Sequence, residues 1–182
     1  MLLENNNILP LTAGSRVLLT GPAADSRRLL CGGWTNHWQG PVDDSPSEFP
    51  HQQPTISERL TELHGSNVIT QPGITLAHRN STEPANTHDS SGVAAALGVA
   101  AGVDVVVLVF GEEVYAEKPG DIEDLELPLI LRNYAKSLIA TGTVLHAGTH
   151  RCFAAFLLLP SRPLLLAKRD CVLVAAGGGR AG

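Results

Sequence analysis

Residues 111–121 read GEEVYAEKPGD, which places three glutamates and an aspartate within eleven positions. Clustered carboxyl groups are suited to general acid/base or nucleophilic work. The loop directly follows residues 103–110 (VDVVVLVF), the most apolar strand-like run in the chain. A continuous β-branched run reads as a buried parallel strand. In open α/β sheets, ligands gather outside the carboxyl ends of such strands. Glu117 is therefore the first candidate for chemistry, with Glu112 and Glu113, nearer the strand end, as rivals. One of those two equally fits a role in orienting neighbours or capping a helix. The plain alternative for Glu117 is a solvated loop carboxylate. Asp121, Glu123 and Asp124 read as a solvated acidic face ahead of the next helix.

A second constellation is CGGWTNHWQG at residues 31–40, which holds both tryptophans of the chain, Trp34 and Trp38. Aromatics make up 4% of the residues, so two indoles four positions apart are conspicuous. Large aromatics are usually mostly buried, so a core position is one reading of Trp38. Its polar, glycine-flanked loop favours a surface platform instead. For Trp34, packing and binding roles are balanced. His37 reads as a surface group.

The elements that must position these residues follow a βαβ rhythm. Residues 16–20 (RVLLT), closed by Gly21-Pro22, predict a first strand and its turn. Residues 24–30 fit a helical turn, and 34–54 a long polar loop of the kind that is functional or disordered. Thr55 with Glu58 forms a capping-box signal for a helix through Leu63. Residues 67–70 predict a short strand, and 71–87 a polar connection without period. Ser90 or Ser91 is placed to cap an alanine-rich helix over 92–101, which leads into the strand at 103–110. Pro128 opens a helical pattern through Ile139, which Gly142 ends. The fold class is therefore α/β, a doubly wound, mainly parallel sheet sandwiched by helices. The rhythm breaks after Thr143, where a strand is due, and the pattern reads as incomplete at the C-terminus. Residues 171–176 (CVLVAA) fit one more strand.

A chain of 182 residues with 43% hydrophobic and 17% charged residues is expected to form one soluble globular domain or a fragment of a larger protein. Its net charge of −5 and scattered cations argue against nucleic-acid binding. No run approaches the roughly 20 apolar residues of a membrane span. Cys31, Cys152 and Cys171 show neither metal spacing nor a paired framework. His146, His150 and Cys152 have a spacing open to metal ligation, but nothing else supports it, and no metal is expected. Residues 177–182 satisfy a G-x-G-x-x-G pattern without a following helix, which argues against a dinucleotide site. Asn80-Ser81-Thr82 is a glycosylation sequon that matters only in a secreted protein. No secretory signal opens the chain, and the compartment stays undetermined.

Several segments together resemble the C-terminal α/β-sandwich domain of glycoside hydrolase family 3, the β-glucosidase and exoglucanase family. Residues 2–11 (LLENNNILPL) are similar to the start of that domain, and residues 16–26 (RVLLTGPAADS) to its first strand and turn. Residues 31–40 resemble a tryptophan-bearing loop of the plant exoglucanase-like branch, and 111–121 the loop carrying the catalytic acid/base. The resemblance covers about residues 2–142 and leaves 143–182 as a divergent tail of a single domain. It implies a retaining, exo-acting hydrolase of β-linked glucosides that needs no cofactor. Such chemistry uses two carboxyl groups about 5 Å apart. Here the resemblance assigns the acid/base to Glu117 and the sugar-stacking platform to Trp38, with Trp34 beside it. An indole face against a pyranose C–H face buries area without demanding one hydroxyl pattern.

The resemblance places the nucleophile on an N-terminal barrel, and the residues from Met1 onward are expected to hold no such barrel. The implied partner is therefore a barrel domain, without which negligible hydrolysis is expected. The mismatch over residues 144–159, with 161–166 (SRPLLL) again partly similar, fits a local reading-frame disturbance. The alternative function is a non-catalytic carbohydrate-binding or remnant module. A nucleotide- or flavin-binding domain is suggested by architecture alone, which does not fix function.

Overall fold

The computed structural model describes residues 2–5, 9–51, 53–77, 87–118, 127–148 and 173–176. The apolar run at 103–110 forms strand β6 (Val105–Val109), and all five of its side chains are buried. A strand covered on both faces needs no polar alternation, which is why it reads as unbroken valine and leucine. It lies inside a six-stranded sheet of order β1-β8-β7-β6-β2-β3, with β1 at Leu2–Asn5, β2 at Val17–Thr20, β3 at Val68–Thr70, β7 at Val144–Gly148 and β8 at Leu173–Ala176. Strands β3, β2, β6 and β7 run parallel, with Val17 opposite both Val68 and Val105. Strand β8 runs antiparallel to β7 and parallel to β1. The sheet is thus mainly parallel with reversed strands at one side, an α/β architecture as expected.

Successive strand residues point to opposite faces, and each face carries its own core. Leu18, Val106, Leu108 and Phe110 pack with Ala96, Ala100, Leu131, Tyr134 and Leu138 from helices α2 (Val93–Ala100) and α3 (Leu129–Ala140). Val17, Leu19, Val105, Val107 and Val109 pack on the other face with Ala23, Ala24, Leu29 and Leu76, and Ile56 and Leu60 of α1 (Ile56–His64) border them. Helices therefore cover both faces, as in a doubly wound fold.

The helix ends follow local chemistry. Thr55 caps α1 through its hydroxyl while the Glu58 carboxylate accepts from the Thr55 N–H, completing the capping box. Helix α2 differs from expectation. Its N-cap is Gly92, without a side-chain cap, and Ser91 donates its N–H and hydroxyl to the Asp89 carboxylate instead. Pro128 sits at the N-cap of α3, one position before the first turn, and Gly142 (φ 76°) ends it.

Strand β1 and a short antiparallel pair were not expected. Residues 75–76 (β4, Thr75–Leu76) pair antiparallel with β5 (His88–Asp89), a hairpin too short to show a period. The strand due after Thr143 is present as β7, in register with β6 from Val105↔Val144 to Val109↔Gly148. Among the described residues no helix is long and apolar enough to cross a membrane.

Gly21 closes β2 against the end of β6. Its φ is +100°, and a Cβ there would lie 2.2 Å from the Val109 carbonyl oxygen. Its own N–H donates to the Pro72 carbonyl at 2.8 Å. Gly21→Ala adds overpacking to backbone strain and is expected to cost roughly 3 kcal/mol or more. Chemical denaturation of the variant would show this, and a midpoint equal to that of the wild type would refute it.

Candidate functional site

Past β6 the chain stays buried for several residues before it surfaces. Phe110, Val114 and Ala116 are buried, as are the charged Glu112 and Glu113. Glu113 meets the Arg28 guanidinium in an ion pair whose two side chains are 3% and 4% exposed. Glu113 Oε1 also accepts the Val114 N–H at 3.1 Å, and Arg28 Nη2 donates to the Leu76 carbonyl at 3.4 Å. Asp44 fixes the backbone of Arg28 by accepting its N–H at 2.7 Å, and its other oxygen accepts from the Ser26 hydroxyl at 2.8 Å. Glu113, named as a rival catalytic group, is thus committed to a buried pair that anchors the loop. Glu112 is buried beside it.

Glu117 is the first exposed residue of the loop. Its backbone is left-handed, with φ 56°. Non-glycine residues seldom adopt this region, because Cβ crowds the following carbonyl, at a cost of about 1–2 kcal/mol. Among the described residues the other non-glycine position with positive φ is Trp34, at 59°. Both strained positions therefore coincide with residues singled out from the sequence.

The tryptophan loop is irregular and internally bonded. The Trp34 N–H donates to the Trp38 carbonyl at 2.9 Å, and the Gly40 N–H donates to that of His37 at 2.9 Å. The Thr35 hydroxyl reaches the Gly32 carbonyl at 2.7 Å. His37 is exposed and lies 2.9 Å from Glu48, in accord with a surface role. Neither indole is in the core: Trp34 is 69% and Trp38 51% exposed. Their ring centroids are 6.2 Å apart in an edge-to-face arrangement at 61°.

The two loops touch. A Cβ on Gly33 would lie 2.3 Å from the Tyr115 carbonyl oxygen and 2.7 Å from the Ala116 Cβ. The Gln39 side-chain amide accepts the Ala116 N–H at 2.8 Å and donates to the Ala116 carbonyl at 3.2 Å. The structure thus joins the segment bearing Trp34 and Trp38 to the segment bearing Glu117. A carboxyl can transfer a proton to a ligand oxygen, and an exposed indole can stack against an apolar ligand face.

Arg28, Asp44 and Gln39 were not singled out from the sequence. Gln39 had a signal in following Trp38 directly, whereas nothing local marks Arg28 as the partner of a residue 85 positions away. A groove of about 430 Å³ between α2 and α3, reaching Ile74 and Ser91, contains none of these side chains.

Among the described residues no three potential metal ligands cluster. His146 lies on β7. His150, Cys152, Cys171, Asp121, Glu123, Asp124, the sequon at 80–82 and the glycine pattern at 177–182 fall outside the described residues. Burial, with the Asp44 carboxylate second, pushes the Cys31 thiol up, so it stays protonated at neutral pH.

Two stability effects follow. Removing one partner of a buried ion pair strands the other, so Glu113→Ala is expected to cost roughly 3–5 kcal/mol. Glu62→Ala, which breaks an exposed pair with Arg59, should cost under about 1 kcal/mol. Equal denaturation midpoints for the two variants would contradict the anchoring role. Glu117→Gly relieves the left-handed strain and should raise stability by up to about 1 kcal/mol, seen as a higher thermal midpoint. A lower midpoint would show that Glu117 makes stabilising contacts instead.

Comparison with known proteins places this arrangement. The family model described as the glycosyl hydrolase family 3 C-terminal domain matches residues 1–157. A lysosomal beta glucosidase of Dictyostelium discoideum is 43% identical over 129 residues, which cover 69% of this chain and 15% of that protein. A mutant of the exo-1,3/1,4-beta-glucanase from a Pseudoalteromonas species superposes with a TM-score of 0.59 at 27% identity, over 93% of this chain and 24% of that one. A β-glucosidase from Erythrobacter marinus shares the fold at 21% identity and a TM-score of 0.53, over 96% of this chain and 25% of its own. The chain thus spans about a quarter or less of the length of these relatives. It belongs to the family of glycosyl hydrolase family 3 C-terminal domains found in β-glucosidase-type glycosidases.

Proposed function

We propose that residues 1–182 form one α/β-sandwich domain that supplies the acid/base carboxyl of a retaining β-glucosidase-type hydrolase. Glu117 is the acid/base, and Trp38, with Trp34 beside it, is the sugar platform. The observation that carries this reading is the coincidence of backbone strain with candidate chemistry. Trp34 and Glu117 hold left-handed φ values of 59° and 56° on two loops joined through Gln39 and Ala116. Strain of this kind persists where the surrounding structure over-determines it, and it gathers at functional sites. The relatives' names, a lysosomal beta glucosidase and an exo-1,3/1,4-beta-glucanase, support β-linked glucosides as the substrate class.

In this reading the Glu117 carboxyl gives its proton to the glycosidic oxygen while a second carboxylate attacks the anomeric carbon. The C–O bond breaks, the alcohol leaves, and a glycosyl-enzyme ester forms. The Glu117 carboxylate then takes a proton from water. That water attacks the anomeric carbon, releasing the sugar and freeing the nucleophile. The second carboxylate belongs to a barrel domain, which is the partner the reading requires. Glu117 is exposed on this chain, so a facing surface must also exclude water for proton transfer to be efficient. Both requirements point to half of a two-domain site.

The purified chain alone should hydrolyse an aryl β-glucoside negligibly. Addition of a separately produced family 3 barrel should restore turnover, and Glu117→Gln should lower the restored rate by about 10²–10⁴-fold. Robust turnover by the chain alone, or restored turnover indifferent to Glu117→Gln, would overturn the proposal. A second reading, a non-catalytic carbohydrate-binding module, is favoured by the exposed indole pair. It predicts that cellobiose changes tryptophan emission while no barrel restores hydrolysis.

A further inference from the structure

Ala116 is 5% exposed and stands between the platform loop and Glu117. A buried residue must satisfy its backbone N–H and C=O, because an orphaned group costs a lost hydrogen bond. The Gln39 side chain satisfies both, accepting at 2.8 Å and donating at 3.2 Å. A primary amide is the neutral side-chain group that offers one acceptor and two donors at this spacing. It acts here as a neighbouring strand's peptide would. Trp38 lies immediately before Gln39, and Glu117 immediately after Ala116, so the two bonds bridge the platform and the carboxyl by one residue on each side.

We propose that Gln39 is the positioning residue that locks Glu117 to the tryptophan pair, holding platform and acid as one unit. This deepens the function proposed above and rests on it. Gln39 acts through the Ala116 backbone rather than on substrate. It also restrains the backbone leading into the left-handed Glu117, since the residue before it is held at both its N–H and its C=O. Gly33 makes the approach possible by leaving the Tyr115 carbonyl unobstructed.

The chemistry of the clamp gives it a signature that simple packing lacks. Gln39→Glu keeps the shape, but its ionised carboxylate offers acceptors alone and opposes the Ala116 carbonyl. Protonation restores one donor and one acceptor. The full chain serves for the test, with amide exchange at Ala116 compared with wild type at each pH. Emission of the two tryptophans reports this loop alone, because both lie in it.

Gln39→Ala should speed Ala116 exchange by about tenfold or more and weaken cellobiose binding several-fold. Gln39→Glu should behave like Gln39→Ala at neutral pH and like wild type below about pH 4. Wild-type exchange in Gln39→Ala, or a Gln39→Glu ratio that does not change with pH, would overturn the clamp. If cellobiose leaves wild-type emission unchanged, the sugar platform fails, and the exchange measurements alone still decide whether Gln39 fixes Ala116.

Discussion

A guanidinium and a carboxylate removed almost wholly from water set the terms for the rest of this domain. Arg28, in the turn after the first parallel strand, and Glu113, just beyond the central strand, neutralise one another at 3% and 4% side-chain exposure. Leaving either ion alone in that position would cost several kcal/mol, so the two connections are tied wherever the sheet forms. The Ser26 and Asp44 hydrogen bonds fix the Arg28 backbone, and the Val114 N–H fixes the carboxylate. Everything distal to Glu113 starts from an anchored point rather than a free loop.

From that anchor the chain reaches Ala116, where the tryptophan loop takes over the positioning. The Gly33 approach and the Gln39 amide leave the next residue little freedom, and Glu117 emerges exposed in a left-handed conformation. Trp34 emerges on the other loop in the same conformation, its ring edge-to-face with Trp38. Local preference opposes both placements, and packing of the loops imposes them. The result is an exposed carboxyl and two exposed indoles on loops that are joined to each other.

The sequence made the sheet and its helices legible where the apolar run or the capping signal is strong. The run at 103–110 could hardly be other than a buried central strand, and Thr55 with Glu58 marked a helix start that the capping box confirms. The β4–β5 hairpin was invisible because two-residue strands carry no period. Ser90 and Ser91 looked like caps, but Asp89 captured Ser91 instead. Strand β7 was obscured because VLHAG lacks the unbroken apolar pattern of β6, although it completes the register beside it.

For the proposed site, residue type and loop context nominated Glu117, Trp34 and Trp38, whereas the side chains that hold their loops were hidden. Arg28 and Gln39 act on partners 85 and 77 positions away, and local spacing holds no record of such pairs. Glu112 and Glu113 could not be told from Glu117 by type; burial separates them.

The most direct measurement is a crystal structure of the chain with cellobiose. The account predicts a pyranose ring lying on the Trp38 indole, with the Glu117 carboxyl within hydrogen-bond distance of the glycosidic oxygen. A sugar bound elsewhere, or a Glu117 side chain turned away from a sugar on Trp38, would contradict it.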